Sequence, residues 1–193
     1  MPTTGKPRSG RPRDASVDIR VLQETFGLLA EKGFRGLRID EVARRAGVPK
    51  STIYRRWPSL VDLAVDAVDT AMGSRECEPG EDPLADLSAI IVRAHAFFTT
   101  SPLSGSLPQI ALGLIGHPEA QAAYRDRIIA PLRNGAIDAV TRAAAAGRWQ
   151  GPDPTTSVDM MIGAIVYRFN YLGHAADLDE AFEVAETVAR RPL

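Results

Sequence analysis

The stretch from Ile39 to Trp57, IDEVARRAGVPKSTIYRRW, constrains the chain most. Ile39, Val42, Ala43 and Ala46 fall on one face of a short helix, Gly47 marks a turn, and Pro49 suits the first turn of a second helix. That second helix, expected over Lys50–Trp57, directs Ile53 and Trp57 inward and leaves hydroxyls, cations and one tyrosine on its other faces. Two short helices joined by a tight Ala-Gly-Val turn are the layout of a helix-turn-helix, which lays its second helix in the major groove of DNA.

The net charge of −1 conceals an asymmetry. Residues 1–60 hold 13 Lys and Arg against 6 Asp and Glu, a net +7, whereas residues 61–193 hold 10 against 18, a net −8. A basic head on an acidic body is the electrostatic footprint of a nucleic-acid reader with a separate regulatory part. No apolar run reaches the roughly 18 residues that cross a bilayer, and the basic N-terminus is followed by no signal-like apolar segment, so a cytoplasmic protein with no membrane partner is expected. One cysteine, Cys77, leaves no internal disulfide framework. His95, His117 and His174 are too scattered to suggest a metal site. No phosphate loop, nucleophile elbow or Cys/His pair points to an enzyme, and no cofactor is expected.

Periodicity predicts an all-α chain of about nine helices: a three-helix head, joined by a fourth helix to a larger helical body. Residues 1–14 read as a disordered basic arm, 15–73 as the head and 82–193 as the body, with the polar run GSRECEPGED as the joint. Helix one is expected from Ser16 to Lys32, burying Ile19, Leu22, Phe26 and Leu29, with Gly33 ending it. Ser59 and Asp62 have capping-box spacing before helix four. A long helix from Pro118 to about Ala146 should bend near Pro131, which removes a backbone hydrogen bond. Asp153 and Asp179 are expected to open the last two helices.

The residues Gly33-Phe34, Ile39-Asp40-Glu41-Val42-Ala43 and Ala46-Gly47-Val48-Pro49-Lys50-Ser51-Thr52-Ile53-Tyr54-Arg55-Arg56-Trp57-Pro58-Ser59 resemble the DNA-binding domain of the TetR family of bacterial regulators. The resemblance covers about the first 70 residues; the remainder agrees in being helical and of suitable length. Two positions depart from the pattern. Arg38 replaces a threonine that would cap helix two and touch a phosphate, and Leu60 replaces a lysine at the start of helix four.

The resemblance implies a homodimeric repressor that binds double-stranded DNA at a palindromic operator and is released by a small-molecule effector. The alternative is an activator or architectural DNA-binding protein without an effector. Lys50, Ser51, Thr52 and Arg55 are the candidates for base edges. Tyr54, Arg38, Arg45 and Arg56 are the candidates for phosphates, and Arg11 and Arg13 of the arm for the minor groove. Candidate pocket residues are Phe97, Phe98, Ile110, Leu114 and Tyr124, with Ile128, Met161, Tyr167 and Tyr171. The last two helices should pair with their mates through Ile162, Ile165, Val166 and Phe169 on one and Phe182, Ala185 and Val188 on the other, because the first of these spans too wide an apolar arc for a single internal seam.

Overall fold

The computed structural model describes residues 15–75, 77–99, 107–174 and 176–192; for Phe97, Phe98 and 107–109 it describes the backbone alone. All regular structure among the described residues is helical. The head comprises α1 (Ala15–Gly36), α2 (Ile39–Ala46) and α3 (Lys50–Tyr54), and α4 (Leu60–Met72) leads out of it. The body comprises α5 (Pro83–Thr99), α6 (Leu107–Gly113), the composite α7, α8 (Pro154–Tyr171) and α9 (Leu178–Ala189). Helix α7 runs unbroken through Pro118–Tyr124, a widened π turn at Arg125–Ile129, and Ala130–Ala145.

The buried stripe of α1 is Val21, Thr25, Leu28 and Leu29, rotated from the expected one, and Ile19 is 53% exposed. The reason lies at Thr25. Its hydroxyl donates to the carbonyl of Val21 at 2.7 Å, so a residue that reads as polar is satisfied inside the core. Gly33 does interrupt the helix, with φ 64° and ψ 178°, but helical structure resumes to Gly36. Helix α3 ends at Tyr54, earlier than expected, and Trp57 folds back into the core. Leu28, Leu29, Leu37, Val42, Ile53 and Leu63 are fully buried together; truncating any of them to alanine would cost about 2–5 kcal/mol.

That core does not stop at the joint. Ile110 of α6, Leu114 in the turn that follows it, and Ala120 and Ile128 of α7 belong to the same cluster as the head residues. Gly113 permits the closeness of α6: a Cβ there would stand 3.1 Å from the backbone nitrogen of Phe34. The ring of His117, at the N-cap of α7, meets Phe34 edge-on at 5.2 Å between centroids. A second core joins α5, α7, α8 and α9 through Leu87, Ile91, Val140, Val158 and Ala185.

The helix ends follow local chemistry. The Ser59 hydroxyl accepts from the Asp62 nitrogen at 3.1 Å and donates to its carboxylate at 2.8 Å. Asp153 caps α8 by accepting from Thr156 N at 3.1 Å. Asp177, rather than Asp179, caps α9. It accepts from Glu180 N, and the Glu180 carboxylate accepts from Asp177 N, at 2.8 and 2.9 Å.

The disturbance expected at Pro131 takes the form of the π turn just before it, in which Ala130 N–H reaches the carbonyl of Arg125. Pro131 has no N–H to offer the carbonyl of Arg127, four residues earlier. Arg75 supplies the missing donor from the 73–82 segment, with Nη2 at 2.8 Å from that oxygen.

Candidate nucleic-acid interface and ligand cavity

Helix α3 is only 5 residues long, so its outward side chains cluster at one end of the head. Ser51, Tyr54 and Arg55 are exposed, and Thr52 is half-buried. Tyr54 is 50% exposed, so its ring stands out from the core instead of packing at the helix base. Lys50, Arg56 and Arg45 are held by carboxylates. The Lys50 ammonium lies 2.5 Å from Asp40, and Arg56 pairs with Asp18 of α1. Arg45 forms a two-pronged pair with Glu31 at 2.8 and 2.7 Å and also reaches Glu41, which Lys32 holds at 2.7 Å. These hydrogen bonds, from Arg45 to Glu31 and from Lys32 to Glu41, keep both carboxyls below the ordinary glutamate value. Arg38 stands at the N-cap of α2 without capping it. Its guanidinium instead donates to the carbonyls of Arg35 and Leu37, both at 2.8 Å. Arg44 is the more open cation of α2. Arg11 and Arg13 lie outside the described residues.

An apolar cavity of about 340 Å³ lies between the C-terminal end of α4 and helices α5, α7 and α8. Its walls are aliphatic, with Leu87, Ile90, Ile91, Leu132 and Val158 among them. Ile128 and Met161, expected in a pocket, line it, and so do Ile162 and Ile165, expected at a dimer face. Five other pocket candidates stand elsewhere. Ile110, Leu114 and Tyr124 pack with the head core, because α6 and the start of α7 turn toward α1 and α4. Burial pushes the Tyr124 phenol up to about 12. Tyr167 and Tyr171 are 56% and 70% exposed and stack on each other at 5.6 Å. The side chains of Phe97 and Phe98 are outside the described residues.

The expected dimer residues also divide. Ala185 and Val188 are buried within the chain, and Phe182 packs against the same core, because that face of α9 closes on α5 and α8. Val166 and Phe169 are half-buried. The exposed large apolar side chains of α8 are Met160, Ile162, Tyr167 and Tyr171.

Sequence reasoning missed the charged part of the cavity wall, namely Arg75, Arg93 and Arg133. Arg75 sits in a run of polar loop residues that gives no periodic signal, and its inward turn follows from the carbonyl freed by Pro131. Among the described residues, no group of three or more His, Cys, Asp or Glu side chains is placed to hold a metal. No helix among them is long and apolar enough to cross a membrane.

Comparison with known proteins agrees with this architecture. Residues 21–67 match the family described as "Bacterial regulatory proteins, tetR family", and residues 79–188 match "Tetracyclin repressor-like, C-terminal domain". The chain belongs to the TetR family. This TetR-family chain is 29% identical to the HTH-type transcriptional regulator YdeS of Bacillus subtilis, over 86% of its own length and 84% of that protein. It is 31% identical to the HTH-type transcriptional repressor KstR of Rhodococcus jostii, over 44% of its own length and 42% of the relative. Its fold is similar to the crystal structure of the TetR family transcription regulator SCO0332, at 26% identity and a TM-score of 0.67, covering 91% of this chain and 97% of that one. It is also similar to FadR from Bacillus subtilis in complex with stearoyl-CoA, at 17% identity and a TM-score of 0.69, covering 89% and 97%. This TetR-family chain is thus a DNA-binding transcriptional regulator with a helix-turn-helix head and a larger helical C-terminal domain.

Proposed function

We propose that the protein is a homodimeric repressor that binds a palindromic operator through α3 and releases it when a small apolar effector fills the body cavity. The observation that carries this reading is the position of the cavity. Ala71 and Met72, the last residues of α4, form part of its wall, and α4 packs on α1 in the head. A ligand there touches the helix that carries the reading head, so its affinity depends on the head's position. By linkage, DNA affinity then depends on the ligand to the same degree.

Lys50, Ser51, Thr52 and Arg55 are assigned to base edges. Tyr54, Arg38, Arg45 and Arg56 are assigned to phosphates, Arg45 and Arg56 after exchanging their carboxylate partners for phosphate oxygens. Arg11 and Arg13 are assigned to the minor groove. The mate is assigned to the exposed face of α8, around Met160, Tyr167 and Tyr171, since a two-fold dimer doubles the DNA contacts of a weak single head. Two proteins of this fold are described by small molecules: FadR, solved with stearoyl-CoA, and FrrA, a flavonoid-responsive regulator.

Selection of DNA from a random pool by the pure protein tests the first half, and a palindrome with two equal half-sites is expected. Selection of no sequence, or of a single half-site, would overturn the dimeric repressor. Screening apolar compounds by thermal shift, then by displacement from that DNA, tests the second half. DNA binding unaltered by every compound that stabilises the protein would favour a regulator without an effector.

A further inference from the structure

Arg75 is the least expected feature of the cavity wall. It is 8% exposed, yet it belongs to the segment between α4 and α5. Its Nη2 donates to the Arg127 carbonyl at 2.8 Å and pairs with Asp69 of α4; its Nη1 donates to the carbonyl of Gly73 at 3.0 Å. Its Nε is buried and has no hydrogen-bond partner among the described residues. An orphaned, buried guanidinium N–H is costly, and an oxygen acceptor brought against it would satisfy it.

The rest of the wall agrees on the acceptor's charge. The charged side chains lining the cavity are Arg75, Arg93 and Arg133, and no lining residue is acidic. Arg133 is held by Asp159 at 2.8 Å, and Arg93 lies 3.7 Å from the Cys77 sulfur. The remaining lining is aliphatic apart from Ser74. A volume of about 340 Å³ equals the liquid share of roughly a dozen waters at ~30 Å³ each, room for a small molecule of medium chain length.

We propose that the cavity takes an apolar molecule ending in a carboxylate, with the carboxylate seated on Arg75, and that Arg75 passes its presence to the head through Asp69. The proposal rests on the reading of the cavity as an effector site and names the effector's chemistry. The path to the head is continuous. Arg75 shares Asp69 with Arg127, which lies 3.5 Å from that carboxylate. Arg127 pairs with Asp66, and Asp66 accepts from the indole N–H of Trp57 at 2.7 Å, three residues beyond α3. A carboxylate on Arg75 competes with Asp69 for the same cation and loosens the hold of the body on α4.

Decanoate and 1-decanol, matched in length, test the proposal by calorimetry and by displacement of the selected operator. Decanoate is expected to bind at least tenfold more tightly than decanol and to weaken DNA binding. Arg75→Met should abolish the preference while retaining decanol affinity. Asp69→Asn should keep decanoate binding and lose most of its effect on DNA. Equal binding of acid and alcohol by the wild-type protein would overturn the carboxylate site and leave the cavity reading standing. Binding of neither would remove both. Decanoate binding with unchanged operator affinity would overturn the relay.

Should Arg75→Met fail to fold, carboxyl-13C-labelled decanoate in the wild-type complex still decides. Its carboxyl should titrate about one pH unit or more below the free acid, as expected beside a guanidinium. Titration at or above the free-acid position would refute a seat on Arg75.

Discussion

Asp40→Asn should tighten operator binding, although it removes an ion pair and adds no contact to DNA. In the free protein the Lys50 ammonium lies 2.5 Å from the Asp40 carboxylate, with both side chains more than half exposed. To reach the major groove, Lys50 must leave that partner. Exposed pairs of this kind contribute up to about 1 kcal/mol. In the proposed dimer two heads would release two of them, so the largest expected gain is about 2 kcal/mol, or a roughly 30-fold lower Kd. Lys50→Ala should act in the opposite direction, losing about 1–3 kcal/mol per half-site. The assay is fluorescence anisotropy on the selected operator at a fixed salt concentration of about 0.15 M. The deciding measurement is the double-mutant cycle. If release of Lys50 is the cause, Asp40→Asn should have little effect in the Lys50→Ala background. Equal tightening in both backgrounds would refute the argument and leave only a general loss of negative charge near DNA.

Three further outcomes are expected. If the proposed dimer forms through α8, Tyr167→Ala should weaken it by about 2 kcal/mol for each copy of the side chain, counted twice by symmetry, read by analytical ultracentrifugation; an unchanged association would refute that interface. Gly151→Ala should lower Tm, because its Cβ would lie 2.1 Å from the Val188 carbonyl oxygen and 2.9 Å from the Trp149 indole nitrogen; overpacking of this kind costs about 1–3 kcal/mol. Glu31 and Glu41 are held below the ordinary value of 4.5, by Arg45 and Lys32 respectively. Their contribution is therefore complete above that value and lost as pH falls through their lowered titration range. Thermal melts between neutral and acid pH should show this loss, and Glu31→Gln with Glu41→Gln should flatten it.

The head was the most legible part of the chain because its signals are local. Gly47 in the left-handed conformation, Pro49 ahead of α3, and the spacing of Val42, Ala46 and Ile53 each act within a few residues. The body helices were legible for the same reason, down to the disturbance at Pro131. What was not legible is long-range. Periodicity gave α8 one wide apolar arc, but it could not separate Ile165, half-buried on the cavity, from Tyr167 and Tyr171, on the surface. It placed Ala185 and Val188 on an apolar stripe without saying that the neighbour was α5 of the same chain. Thr25, bonded to the carbonyl of Val21, and Arg75 gave no periodic signal of their burial. A polar residue inside is recognised only once its acceptor is known, and the acceptor of Arg75 lies 52 residues away.

Gly113 has a consequence beyond packing. Helix α6 touches the head where a Cβ at 113 would press on the backbone of Phe34. The tilt of the head therefore depends on how closely α6 is allowed to approach. In a two-fold dimer, equal tilts of the two heads change the distance between the paired reading helices. A larger side chain at 113 would thus act as a spacer, and its first effect would be a preference for operators whose half-sites are differently separated. The residue that fixes the operator's geometry would be one that never meets the DNA.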